Sequence, residues 1–349
     1  MAQTVLKSLN QSLHEMMGGD ERVYIIGEDL LDPYGGAFKV TKGLSTKYPE
    51  RVWTTPISEA GFVGVAAGMA MRGLRPVVEI MFGDFLMLAG DQLLNHITKY
   101  RWMYDDQVDV PIVIRAPMGG RRGYGPTHSQ TIEKHFLGMP GLVVVAPSPF
   151  HTPGDLLRSA VVEDLRPVLF VENKLMYAKR LHAHKDGQVG DMFARITEHS
   201  YPTVTLSFDD FEEADVTIVA YGGMAELARQ AAEELLMEEE IYCEVVIPSS
   251  LQPLHIDPIV ESLARSGRLV VCEEGTGTAG WGAEVIARIS REAFELLDAA
   301  PGHVAAREFP IANATTLEAE ILPQLDDITE AALATMDASP ATSLDLLRA

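Results

Sequence analysis

Cysteine is nearly absent from this sequence: there are two, Cys243 and Cys272, in 349 residues. They stand far apart in apolar, strand-like segments, which excludes a disulfide framework or a zinc spacing and fits buried thiols in a reducing compartment. Long hydrophobic runs are missing as well. No stretch reaches the roughly 18 uninterrupted apolar residues of a membrane helix, and the N-terminal MAQTVLKSLNQSLHEMM reads as an amphipathic helix. Positive charge is scarce: 28 Lys and Arg stand against 50 Asp and Glu, a net charge of -22. That balance argues against nucleic acid or an anionic membrane as main partner and suits a basic protein partner, in a soluble, cytoplasmic chain. A phosphate loop is lacking too. Residues 273–282 (EEGTGTAGWG) have neither the Walker lysine nor the GxGxxG spacing, so no nucleotide site is expected there.

What is present is alternation. Short apolar runs at Val23–Gly27, 76–80, 111–115, 142–146 and 168–171 are separated by helical patterns, the signature of a parallel sheet covered on both faces. Ligands of such sheets bind at the carboxyl ends of the strands, which directs attention to the loops after these runs, above all residues 116–130. The pattern breaks at 179–211, a polar stretch read as an interdomain connection, and resumes with Val216–Ala220, a helix from Met224, 243–247, a helix near 256–266 and 269–272. The expected organisation is α/β in two domains, each a mostly parallel sheet flanked by helices: 1–178, linker 179–211, 212–337, and a mobile tail at 338–349. His182 and His184 in the linker read as solvated, and His135 as structural.

Residues 55–72, TPISEAGFVGVAAGMAMR, place a carboxylate at the start of a helix made of small residues. Ser58 suits the N-cap, and Glu59 in the first turn gains about 0.3–1 kcal/mol from the helix dipole. Gly61, Gly64 and Gly68 form one bare face. Each glycine costs a helix about 1 kcal/mol relative to alanine, which makes sense if another helix, from another subunit, comes very close.

The strings IGEDL, GGAFKVTKGL, RVWTTPISEAGF, GLRPVVEIMFGDF, DQLLNHITKYR, HSQTIE, PGLVVVAPS and ENKLMY, in this order, resemble the β subunit of thiamine-diphosphate-dependent 2-oxo acid dehydrogenases, the E1 component, within the transketolase superfamily. The resemblance is dense over residues 28–177 and thinner through CEEG and GWGAEVIARI to Pro323. It implies a pyrimidine-binding domain followed by a transketolase C-terminal-like domain. It also implies an α2β2 heterotetramer whose α subunit holds the diphosphate and Mg²⁺: the usual Gly-Asp-Gly string is absent here, since Gly83-Asp84 is followed by Phe85.

By the same resemblance, Glu59 is the carboxylate that exchanges a proton with the aminopyrimidine so that the thiazolium C2–H can be removed. Ile57, Phe62 and a facing helix would desolvate it and raise its pKa. Phe85 stacks on the pyrimidine, Ile57 and Met81 complete the cofactor side, and His128 acts as acid/base toward the substrate. A K⁺ ion would sit on main-chain carbonyls of Ile112, Ala160, Val161 and Glu163, and a lipoyl acyltransferase core would be a further partner. Two strings depart from the family. GPTH at 125–128 is more like transketolase or deoxyxylulose-phosphate synthase, and SSLQPLH at 249–255 is unlike the dehydrogenase second domain. The expected function is therefore a 2-oxo acid dehydrogenase β subunit, with a two-component, transketolase-like carboligase as the alternative; a noncatalytic scaffold fits Glu59, Phe85 and His128 poorly.

Overall fold

The structure, a computed structural model, describes residues 3–182 and 187–337; His184 and the expected tail lie outside the described residues. The chain divides into two compact units, one of Met1–Gly120, Thr127–Leu181 and Ser250–Pro253, the other of Arg121–Pro126, His182–Ser249 and Leu254–Ala349.

In the first unit, Val- and Ile-rich runs form six parallel strands: β1 (Val23–Gly27), β2 (Val52–Thr54), β3 (Arg75–Glu79), β4 (Val113–Met118), β5 (Val143–Val145) and β6 (Val168–Asn173). The central strands are buried on both faces, as runs without polar alternation require. The Val5–Gly19 helix, N-capped by the Thr4 hydroxyl, buries Val5, Leu9, Leu13, Met16 and Met17 along one stripe.

The second unit carries β7 (Gln188–Val189), β8 (Met192–Ile196), β9 (Thr203–Ser207), β10 (Val216–Ala220) and β11 (Cys243–Pro248). The next strand, β12 (Ser250–Gln252), pairs antiparallel with β5, so the first sheet runs β12-β5-β6-β4-β3-β1-β2. With β13 (Leu269–Thr276) and β14 (Gly302–Ala306), the second sheet runs β14-β13-β10-β11-β9-β8-β7, parallel through its first four strands and antiparallel beyond. The stretch read as a connection thus holds the antiparallel strands β7 to β9. Its apolar residues are too interspersed with polar ones to announce strands, because β8 is only partly covered. His182 is also not simply solvated: its Nε2 lies 3.0 Å from Glu226 Oε2. Both cysteines are free and buried, and burial pushes the Cys243 thiol up to about 12. No helix among the described residues is long and apolar enough to cross a membrane.

Candidate active site

β1, β2 and β3 lie side by side in register, Gly27 opposite both Thr54 and Glu79, and β4 follows with Arg115 opposite Glu79. The loops leaving their carboxyl ends therefore emerge together. They carry Glu28, then Ile57 and Glu59, then Met81 to Phe85. Gly27 is required at this edge, because a Cβ there would collide with the Glu79 carbonyl oxygen.

Glu59 opens the Glu59–Met71 helix and is only 4% exposed. Ser58 precedes it as expected, but its hydroxyl makes no capping bond; its Oγ instead fills the space beside Gly61, where a Cβ would come within 2.8 Å. Among the described residues no group donates a hydrogen bond to the Glu59 carboxylate. Glu28, 6% exposed, lies close enough to interact with it: burial first, then the charges of Glu59 and Asp29, raise the Glu28 carboxyl above the ordinary range. Glu28 Oε1 is buried without a partner. Two neighbouring, largely buried carboxyls thus have acceptor capacity unused, and a ring nitrogen beside an amino group is a chemically suitable complement. A flat heterocycle such as an aminopyrimidine fits that donor set. Ile57 beside them is 82% exposed, so within this chain it does not desolvate Glu59 as expected.

The 3₁₀ turn Gly83–Ala89 packs against the Glu59–Met71 helix. It lies tightly on β4, since a Cβ on Gly83 would strike Met118. Phe85 and Met81 are half-buried. The turn meets the His128 loop through aromatic edges: the imidazole is 4.7 Å from the Phe82 ring and 5.3 Å from Phe85, both near perpendicular. Phe38, from the Gly-rich loop after β1, extends the cluster to Phe82 and Tyr177. Asp84 Oδ1 accepts from Gln130 Nε2 at 2.9 Å, and His128 Nδ1 lies 2.9 Å from the Thr127 hydroxyl. Phe85 and His128 are therefore brought together, on the same strand edge as Glu59. Ala160, Val161 and Glu163 share the π-helical turn Ser159–Glu163, while Ile112 lies just before β4, its carbonyl accepting from Val168 N–H at 2.9 Å.

Beneath these loops lies an ionic group the sequence reading missed. Arg115, 1% exposed, donates to Glu79 and bidentately to Glu172, all at 2.8 Å, and Tyr177 donates to Glu172 at 2.6 Å. Burial opposes the charge of Arg115, yet Glu172 and Glu79 hold it above the ordinary range. Burial raises Glu79 against the pull of Arg115. An ionic residue within or directly after each of three apolar runs was the available signal.

Residues 2–179 match the family described as transketolase, pyrimidine binding domain, and residues 210–328 match transketolase, C-terminal domain. The chain is 40% identical to pyruvate dehydrogenase E1 component subunit beta-2, mitochondrial, of Oryza sativa subsp. japonica, over 94% of this chain and 85% of that one. It is 38% identical to pyruvate dehydrogenase E1 component subunit beta of Rickettsia bellii (strain RML369-C), over 94% and 97%. The chain belongs to the E1 β-subunit family. A solved structure described as split gene transketolase, inactive beta4 tetramer, matches with a TM-score of 0.72 at 21% identity, over 96% of this chain and 99% of that one, and shows the shared fold. Within the E1 β family frame, Glu28, Phe82, Lys174 and the Arg115 group are the site-proximal residues that sequence reasoning did not single out.

Proposed function

We propose that this chain is the β subunit of a thiamine-diphosphate-dependent 2-oxo acid dehydrogenase acting on a pyruvate-like substrate, and that it forms half of the active site. The observation that carries this reading is the Glu59–Glu28 pair, buried and short of donors, on the same strand edge as Phe85 and His128. Thiamine diphosphate, when bound, would supply a nucleophilic carbon at the thiazolium C2 for a 2-oxo acid substrate. Glu59 holds or releases the proton at the pyrimidine ring nitrogen, Phe85 offers a flat apolar face, Met81 and Ile57 flank it, and His128 moves protons on the substrate side. Mg²⁺ and the diphosphate fall to an α subunit, and a K⁺ ion to the carbonyls around Ile112, Ala160, Val161 and Glu163.

The partner reading is supported by the outer face of the Glu59–Met71 helix. Among the described residues, and apart from the helix's own backbone, nothing lies within 4 Å of a Cβ built on Gly68, and Gln92 Cγ is what approaches Gly64, at 4.0 Å. Val65 on this helix and Ile57 just before it are exposed. An α2β2 assembly covers such a face. The chain alone is expected to show no 2-oxo acid decarboxylation with an artificial electron acceptor, and the chain assembled with its α subunit to show full activity and to acylate a lipoyl domain. Tight cofactor binding and turnover by the isolated chain would refute the half-site. Aldehyde ligation without lipoyl transfer would move the protein to the carboligases.

His128→Ala is expected to lower turnover of the assembled enzyme by about 10²–10⁴-fold, the usual acid/base contribution, with C2–H exchange and cofactor affinity unchanged. If exchange falls in proportion to turnover, His128 belongs to cofactor activation instead.

A further inference from the structure

Lys174 is a charged side chain with no role in the chemistry above, and it is fully buried. It begins the 3₁₀ turn Lys174–Ala178 directly after β6. An ammonium withdrawn from water is costly unless acceptors or π-faces meet it. Its Nζ donates to the main-chain carbonyl of His128, 46 residues away in sequence, and lies 5.2 Å from the centre of the Phe82 ring, within cation–π range. Phe82 is the ring against which the His128 imidazole stands at 4.7 Å, and it also meets Phe85 at 5.9 Å. One cation therefore touches both the backbone of the histidine and the surface that orients its side chain.

The two ends of this contact differ in rigidity. The turn bearing Lys174 is fixed to a central strand: Asn173 Oδ1 accepts from Leu175 N–H at 3.0 Å, and Tyr177 is tied to Glu172. His128 sits in irregular chain, in a turn outside any strand or helix, where Gln130 bonds Asp84. We propose that Lys174 is a positioning residue, transmitting the rigidity of β6 to His128 and holding its imidazole in the working orientation. The proposal rests on the reading of His128 as a substrate-side acid/base.

Lys174→Met keeps most of the length of the side chain and suits a buried site, while removing the donor and the charge. In the assembled, cofactor-loaded enzyme it is expected to lower kcat about 10- to 100-fold, the factor that loss of a hydrogen bond from a charged group corresponds to, with C2–H exchange and the KM for the 2-oxo acid unchanged. In a His128→Ala background it is expected to lower kcat no further, since the histidine it positions is gone. Lys174→Arg, which keeps charge and donors, is expected to recover most of the loss; it also provides the comparison with Lys174→Gln if the methionine variant does not assemble. The readout without cofactor is amide exchange in the assembled protein. Residues 127–130 should exchange about 10- to 100-fold faster in Lys174→Met or Lys174→Gln, with β4 and β6 unchanged. A full additional loss in the His128→Ala background, or unaltered exchange of the loop, overturns the proposal. If the wild-type assembly has no 2-oxo acid turnover, the functional reading fails while the exchange result still decides whether Lys174 anchors the loop.

Discussion

Glu59→Gln is expected to leave the chain folded and assembled while slowing C2–H exchange of bound thiamine diphosphate by about 10²–10⁴-fold. The amide has the shape of the carboxyl but cannot give and take a proton at the ring nitrogen. Its fold cost is small: the dipole interaction of a first-turn acid amounts to about 0.3–1 kcal/mol. No described group in the chain donates to Glu59, so the substitution breaks no internal hydrogen bond. Hydrogen–deuterium exchange at C2, followed on the assembled enzyme, measures the effect directly. Exchange at the wild-type rate would leave Glu59 with nothing but its helix-terminal role.

The largest stability effect is expected at Arg115. Arg115→Met should destabilise the chain by about 3–5 kcal/mol, because it leaves two buried carboxyls, Glu79 and Glu172, without their shared cation. The loss should depend on pH. Glu79 is already raised in the folded protein, and without Arg115 it rises further. A carboxyl whose folded pKa lies above its unfolded value binds more protons when folded, so stability falls as pH climbs through the interval between the two. The variant should therefore be penalised less near pH 5 than near pH 8, and combining it with Glu79→Gln and Glu172→Gln should recover much of the difference. Urea denaturation at the two pH values decides the point. Equal losses at both would mean that Glu79 does not change protonation.

The division between legible and illegible residues follows sequence distance. The central parallel strands of both sheets stand out because doubly buried strands must be continuous Val and Ile runs, whereas the partly exposed parallel strands β2 and β14 do not; Glu59, Phe85 and His128 stand out because each sits in a distinctive local string. Lys174, Phe82 and Arg115 do not. Lys174 acquires its role from a carbonyl 46 residues away, and Arg115 from carboxylates on two neighbouring strands; neither relation leaves a local pattern. Glu28 was half legible, as an acid closing an apolar run, but its closeness to Glu59 depends on β1 and β2 being neighbours. β7 to β9 escaped notice because half-covered antiparallel strands mix polar and apolar residues much as a connecting segment does.

The path of β12 bears on how the chain is made. This strand edges the first sheet, yet it is encoded after most of the second sheet's strands. At about 5–20 residues per second of synthesis, the β5 edge waits roughly 5–20 seconds for its antiparallel neighbour. During that interval a Val-Val-Val strand presents unpaired backbone groups, a template for pairing with another nascent chain. The first unit is consequently not a module that a cut after residue 181 would release intact. Its sheet is finished only when residues 250–252 have been delivered, so completion of one unit is tied to translation of much of the other.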